Sequence, residues 1–336
     1  MRAPEFWSEK PGIVSTLLRP AAWLTGQIAV RRRLKTGWRA SVPVICCGNM
    51  TVGGTGKTTM VLDLAQRLRA RGRVVHILTR GYGGRAGRDG IPVLVNDALH
   101  TSRDVGDEAL LLARVAPCWV GRDRVAAARN AIADGADCLL MDDGFQNAGL
   151  HKDISLLLID GMTGFGNGCV LPAGPLREKP ESGLAAADMV VVTGAVRVNV
   201  AGLLAGRLRP GVPVLHADLV MDSGVDTLRG KRVFAFAGLA RPQKFFQALS
   251  VSGVTPVHCE PFPDHHMFRR AELERLEQMA AGMTAELVTT PKDAARLPAD
   301  FRRKVRVAGV HVNWSDPEMP DRILDVMCNL KAGGQE

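Results

Sequence analysis

The stretch Asn49-Met50-Thr51-Val52-Gly53-Gly54-Thr55-Gly56-Lys57-Thr58-Thr59 constrains this chain more than any other. An apolar run at 42–47 leads into it, and a helical apolar pattern from Met60 to Leu68 follows it. Strand, glycine-rich turn and helix together make the context of a phosphate-binding loop. Glycines let successive backbone N–H groups converge on one anion, and the helix N-terminus adds its positive dipole end. Lys57 is then placed for the β- and γ-phosphates of a nucleotide, and the Thr58 hydroxyl for Mg²⁺. Thr51, Val52, Gly53, Gly54, Thr55, Gly56, Lys57, Thr58 and Thr59 form the expected ATP site. One position departs from the pattern G-x-x-x-x-G-K-[ST], because Thr51 stands where the first glycine would be. The plain alternative, a turn that binds nothing, needs strand, loop and helix to coincide by accident.

Downstream, Cys138-Leu139-Leu140-Met141-Asp142-Asp143-Gly144-Phe145-Gln146 is an apolar strand ending in a carboxylate. Alone that is a weak signal. Paired with the glycine loop it is the Walker B arrangement, with Asp142 near Mg²⁺ and Asp143 beside it. Further apolar runs at 74–78, 154–160 and 189–193 alternate with helical stretches. Such alternation predicts a doubly wound parallel sheet. Charged loops follow several of these strands: Thr79-Arg80-Gly81-Tyr82-Gly83-Gly84-Arg85, Arg122-Asp123-Arg124, and Leu171-Pro172-Ala173-Gly174-Pro175-Leu176-Arg177-Glu178. Loops at strand C-termini border the ligand crevice of such sheets. Asp107 and Glu108 open a helical run, where acids ordinarily compensate the helix dipole. A Pro- and Gly-rich stretch at 210–230 reads as a hinge. A smaller α/β unit then opens at Arg232, with helices near 242–250 and 270–282 and a strand at 286–290. The expected division is 1–40, 41–225 for the P-loop domain, and 226–336 for the second α/β domain. Pro261-Phe262-Pro263-Asp264-His265-His266 falls in a loop of that second unit.

The first forty residues stand apart. Ile13, Leu17, Ala21, Leu24 and Ile28 share one helical face, and Arg31-Arg32-Arg33, Lys35 and Arg39 follow. The run is too short and too interrupted to span a bilayer, and it lacks a signal-peptide cleavage site. Two readings stand on the residues alone: an amphipathic helix lying on an anionic membrane surface, or a helix packed on the protein's own core.

Composition narrows the function classes. The chain of 336 residues is 46% hydrophobic and 23% charged, with net charge +9 and one tyrosine. The positive balance suits a polyanionic partner. Eight Lys and Arg against two acids lie within residues 1–40, leaving about +3 elsewhere. That is too little for a long basic track, so a nucleic-acid-stimulated ATPase is disfavoured. A membrane-recruited switch ATPase would carry Lys before the paired glycines, where Val52 stands. The seven cysteines form no C-x-x-C pair and read as reduced core residues of a cytoplasmic protein.

The motifs occur in an order that resembles the tetraacyldisaccharide 4′-kinases, the lipid A 4′-kinases of Gram-negative bacteria. The phosphate loop, Arg80-Gly81-Tyr82-Gly83, Gly106-Asp107-Glu108, Asp142-Asp143-Gly144-Phe145-Gln146, Leu171 to Glu178 and Phe262-Pro263-Asp264-His265 carry the resemblance over nearly the whole chain. It implies two α/β/α domains closing over ATP, with an N-terminal helix on the cytoplasmic face of the inner membrane. It also implies γ-phosphoryl transfer to the 4′-hydroxyl of a tetraacylated glucosamine disaccharide 1-phosphate. By this resemblance Asp107 is the base, assisted by His265 rather than His266, and Lys57 completes the catalytic set. Thr58, Glu108, Asp142 and Asp143 are expected around Mg²⁺, with Tyr82, Arg124, Gln146, Arg177 and Glu178 near the acceptor. No nucleic acid and no obligate protein partner is implied. The family usually has Glu before Lys-Asp where this chain has Pro291, which puts the role of the 290–293 loop in doubt.

Overall fold

The computed structural model describes residues 4–329, without the side chains of 326–329. The outer ends of the expected segments 1–40 and 226–336, and the side chain of Cys328, therefore lie outside the described residues. In chain order the strands of the first part are β1 (Val44–Gly48), β2 (Val75–Thr79), β3 (Val93–Leu94), β4 (Cys118–Val120), β5 (Cys138–Asp142), β6 (Ile154–Asp160), β7 (Met189–Thr193) and β8 (Val214–Met221). The remainder are β9 (Val233–Ala237), β10 (His258–Pro261), β11 (Glu286–Thr289), β12 (Arg306–Val307) and β13 (Val310–Trp314).

Among the described residues, nine strands form one sheet in the order β13-β8-β7-β6-β1-β5-β2-β4-β3. All neighbours are parallel except the two edges, β3 on β4 and β13 on β8. The central strands are buried on both faces, which is why they read as continuous apolar runs. Ile45, Cys47 and Leu140 face one core with Met60, Leu64 and Leu68 of the helix Lys57–Ala70. Val44, Cys46, Leu139 and Met141 face the opposite core with Ala127, Ala131 and Phe145. Cys46, Cys47, Cys118 and Cys138 are buried, as expected of core thiols.

β1 lies between β5 and β6. Strand order reverses there, so the loop leaving β1 opens at the topological switch point where ligands of such sheets bind. Register sets Asp142 opposite Cys47, one residue before the end of β1. The strand ending in Asp142 is thereby brought level with the glycine loop.

A second sheet, β10-β9-β11-β12, is fully parallel. Phe234 and Phe236 point to one side of it, and Val233, Ala235 and Ala237 to the other. The helices Pro242–Val251 and Arg270–Gly282 flank it, close to the expected spans.

Two expectations about organisation change. Residues 210–230 are not a plain hinge, because β8 runs through them as a strand of the large sheet. Its residues alternate between buried and exposed positions, a half-buried pattern that Pro213 and the flanking glycines disguise. Residues 310–329 do not stay with the second unit either. β13 returns to pair with β8, and the helix Met319–Asn329 packs beside the helix Lys57–Ala70. Arg67 and Arg71 hold Asp321 there, and the Trp314 indole N–H donates to Asp63 at 2.9 Å.

The N-terminal segment forms short helices at Ile13–Leu17 and Arg19–Arg33. Their small residues, Ser15, Ala22 and Gly26, are the buried ones. The expected apolar face points outward: Ile13 is 82% exposed, Leu17 75%, Leu24 57% and Ile28 45%, with Trp23 beside them at 63%. No helix among the described residues is long and apolar enough to cross a membrane.

Candidate active site

The glycine loop is held by the segment that follows β6. The Val52 N–H donates to the Pro175 carbonyl at 2.8 Å, and the Arg177 N–H to the Met50 carbonyl at 2.7 Å. Thr51 forms an antiparallel bridge with Leu176. An extended, bridged residue needs no glycine, which accounts for the departure at this position. Positive φ is confined to Gly53 and Gly56 within the loop. The Lys57 ammonium donates to Asn49 Oδ1 at 3.1 Å and lies 3.6 Å from Asp143. Asp143 also accepts two bonds from Arg177 Nη1, at 2.9 and 3.0 Å. Burial opposes the Asp143 charge, but Lys57 and Arg177 together lower its pKa below the ordinary value. Gln146 donates to the Asn49 carbonyl and to Glu178, each at 2.9 Å. Thr58 is buried in the first turn of the loop helix. Thr59 is half-buried beside it, and the buried Thr55 hydroxyl has no partner.

Asp142 is buried at the end of β5. One oxygen accepts from the Thr79 hydroxyl at 3.3 Å, while Oδ1 has no hydrogen-bond partner. Burial, then Glu108 and Asp143, push this carboxyl well above the ordinary range. A buried carboxylate oxygen without a donor is a position a cation would fill. Among the described residues no three Asp, Glu, His or Cys side chains converge into a complete metal cage. Glu108, expected beside Mg²⁺, pairs with Lys292, and Asp143 pairs with Arg177 and Lys57. Mg²⁺ at a nucleotide site needs only one or two carboxylates, phosphate oxygens completing its shell. Asp142 and Thr58 fit that smaller demand.

Asp107 and His265, 158 positions apart in sequence, meet across the two units. His265 Nδ1 lies 3.2 Å from Asp107 Oδ2. The backbone brings them there by two devices. Gly106, at φ 88°, sits so close to the Tyr82 carbonyl that a Cβ would meet it at 2.5 Å. The Arg80–Gly83 loop can therefore lie on the start of the helix Asp107–Ala113. His265 itself adopts a positive φ of 56°. The Tyr82 ring stands 5.4 Å from the His265 ring and is largely exposed. His266 turns elsewhere, to Glu272 at 3.0 Å and onto Phe262.

Sequence reasoning missed the third member of this cluster. Arg296, fully buried, donates to Asp107 Oδ2 through Nε at 3.1 Å and also through Nη2. It holds Asp293 at 3.1 Å as well. Burial disfavours the Asp107 charge, yet the His265 hydrogen bond and the Arg296 guanidinium win and hold its carboxyl well below the usual range. The bond to Asp107 in turn raises His265 above its ordinary value. The Pro291 loop, whose role was in doubt, supplies Lys292. Burial opposes that ammonium, but Glu108, Asp107 and Asp142 raise its pKa overall. No local pattern joins Lys292 to Glu108, 184 positions away, or Arg296 to Asp107, 189 positions away.

Arg124 is buried, donates to the Gly121 carbonyl, and leaves Nε without a partner. Burial lowers its pKa against the pull of Asp142 and Asp143. A cleft of about 490 Å³ gathers Tyr82, Glu108, Asp142, Asp143, Arg177 and Glu178. Its other wall is the N-terminal helix, through Thr25, Ile28 and Ala29.

A glycine loop at the switch point of a doubly wound sheet, facing a strand-end aspartate, defines a P-loop nucleotide-binding protein, here with a second α/β unit in contact with the site. The family model for tetraacyldisaccharide-1-P 4′-kinase matches residues 14–328. The chain belongs to this family, which makes it a kinase of lipid A biosynthesis. It is 55% identical to the tetraacyldisaccharide 4′-kinase of Gluconacetobacter diazotrophicus, across 97% of this chain and 98% of that one. The Gluconobacter oxydans tetraacyldisaccharide 4′-kinase is 50% identical over the same shares. The crystal structure of LpxK from Aquifex aeolicus in complex with ATP has the same fold, with a TM-score of 0.73 at 24% identity over 94% of this chain and 99% of that one.

Proposed function

We propose that this cleft transfers the γ-phosphoryl group of ATP to the 4′-hydroxyl of a tetraacylated disaccharide 1-phosphate held at an anionic membrane surface. The observation that carries the reading is the single cleft shared by the phosphate loop, the Asp107 neighbourhood and the outward apolar helix. A substrate with four acyl chains does not leave the bilayer, because each buried CH₂ contributes about 0.8 kcal/mol. The enzyme must therefore reach the sugar at the surface. The exposed Ile13, Leu17, Trp23, Leu24 and Ile28 suit contact with acyl chains, and Arg31, Arg32 and Lys35 suit the anionic headgroups.

In this reading Lys57 leaves Asp143 for the β- and γ-phosphates, which the loop amides also hold. Asp142 and Thr58 would hold Mg²⁺, which when bound neutralises charge on the transferring phosphates. Arg177 remains on Asp143 and keeps it turned toward the phosphate site. Asp107 and His265 together take the proton of the attacking hydroxyl, with Asp107 Oδ1 or His265 Nε2 as the accepting atom. Asp107 Oδ2 is already engaged by Arg296 and His265, and Oδ1 accepts from the Glu108 N–H at 3.1 Å, which favours His265 Nε2 as acceptor with Asp107 orienting the ring. Tyr82, Gln146 and Glu178 line the acceptor side, while buried Arg124 lends positive charge beneath Asp142 and Asp143.

The deciding experiment incubates the chain with γ-labelled ATP and separate acceptors: the acylated disaccharide 1-phosphate, DNA, or buffer alone. Label is expected on the glycolipid only. Label released as free phosphate, stimulated by DNA, would sink the proposal.

A further inference from the structure

We propose that Arg33 is a positioning residue that ties the seating of the N-terminal helix to the geometry of the phosphate site. Its neighbours Arg31 and Arg32 are exposed, but Arg33 turns inward. Its Nη2 donates to Glu178 Oε1 at 2.8 Å, and its Nε donates to Glu178 Oε2. The Glu178 side chain is 1% exposed, and the guanidinium also lies over the Phe145 ring at 4.9 Å. A planar fork on a buried carboxylate is a geometry that Arg supplies and Lys does not.

From Glu178 a line of hydrogen bonds runs to Asp143, and an ion pair joins Asp143 to the loop lysine. Gln146 donates to Glu178 Oε1 at 2.9 Å and accepts from Arg177 at 3.3 Å. Arg177 holds both oxygens of Asp143, and Asp143 faces Lys57 at 3.6 Å. If the Arg33 fork is lost, Glu178 is left as a buried carboxylate with one neutral donor. It then competes with Asp143 for the Arg177 guanidinium. Asp143 swings with Arg177, and Lys57, left with Asn49 alone, loses one of the two groups that aim it. The helix that carries Arg33 presents its apolar face outward, so whatever seats that helix also sets this line. The inference rests on Lys57 and Asp143 forming the phosphate site.

The test uses the full chain with acylated disaccharide 1-phosphate dispersed in detergent, so that membrane affinity does not enter the rate. Arg33→Gln is expected to lower kcat roughly 10- to 100-fold through lost positioning. The KM for ATP and binding to phosphatidylglycerol vesicles should stay near those of Arg19→Gln, an exposed charge change on the same helix. Arg33→Lys should recover only part of the rate. The Arg33→Gln/Glu178→Gln double variant should be no slower than the slower single, since both break one line. Glu178→Gln keeps the shape of the site and carries the same measurement if Arg33→Gln fails to fold. A kcat for Arg33→Gln equal to that of Arg19→Gln, or losses that multiply in the double variant, would overturn the inference. Lys57→Ala serves as the control. If it is inactive while Arg33→Gln is normal, only the link from the helix is wrong. If Lys57→Ala keeps a normal kcat, the phosphate-site assignment fails and the link fails with it.

Discussion

Lys57 is the residue on which the phosphate site turns, because it is the one charge inside the glycine loop. Replacing it with alanine should cost several kcal/mol of transition-state stabilisation, roughly a thousandfold or more in kcat. A near-normal rate would reject the loop as the nucleotide site. Asp107 is harder to isolate, because it serves the fold as well as the reaction. Arg296 and Asp107 are a buried pair, so removing the carboxylate leaves the buried guanidinium with Asp293 as its remaining counter-charge and costs stability. A stability loss in Asp107→Ala is thus expected under either a structural or a catalytic role. His265→Ala leaves the Arg296 pair in place and gives the cleaner measurement. It should cut kcat severely with little change in the KM for ATP or, on the alkaline side where the His265 contact contributes least, in melting temperature. The Asp107→Ala/His265→Ala double variant, assayed where it remains folded, should be hardly slower than the slower single. Multiplicative losses would mean that the two act independently.

At the scale of one element, the N-terminal helix joins two tasks that different residues carry. Ile13→Ser/Leu17→Ser/Leu24→Ser removes apolar area from its outward face and touches no residue of the cleft wall. This variant should leave anionic vesicles while keeping kcat on detergent-dispersed substrate. Deleting residues 4–35 should do more, because it also strips Glu178 of Arg33 and so lowers kcat. Vesicle sedimentation and initial rates on the two variants separate these tasks, and full retention of the triple variant on vesicles would refute membrane contact by this face. The helix was legible as apolar at every third or fourth position, and its outward face is the one the spacing picks out. The inward turn of Arg33 was not legible, since three consecutive arginines look alike until Glu178 arrives from 145 positions downstream.

Across the whole molecule, the two units are clasped around the cleft by charge. Arg241 and Lys244 both reach the buried Asp160 of the large sheet, at 3.0 and 2.9 Å. Lys292 reaches Glu108, while Arg296 and His265 reach Asp107. Of these contacts only that of His265 involves a group whose ordinary pKa, 6.5, lies near neutrality. Its pKa is raised above 6.5 in the folded chain. Its stabilising share is therefore complete below the unfolded value of 6.5 and fades as pH rises through the higher folded value. The melting temperature of the wild type relative to His265→Asn should be most favourable in mildly acid buffer and should shrink on the alkaline side. A difference that grows with rising pH would contradict the assigned contact. The rate should run the opposite way, since a protonated His265 cannot accept the hydroxyl proton.

What the sequence determined by itself was whatever local chemistry and short-range periodicity encode. The glycine loop, the strand ending in Asp142, the buried parallel strands and the apolar helical face each write their physical cause into adjacent residues. Even β13 left such a trace, because Val310, Val312 and Trp314 alternate with His311 and Asn313, although nothing in that alternation names β8 as its partner. The tertiary structure decided the pairings whose free energy comes from distant groups. It paired Glu108 with Lys292, buried Arg296 on Asp107, and brought His265 across to the same carboxylate. These follow from desolvation: a charge taken out of water must find its counter-charge wherever the fold delivers one, and sequence distance does not enter that requirement.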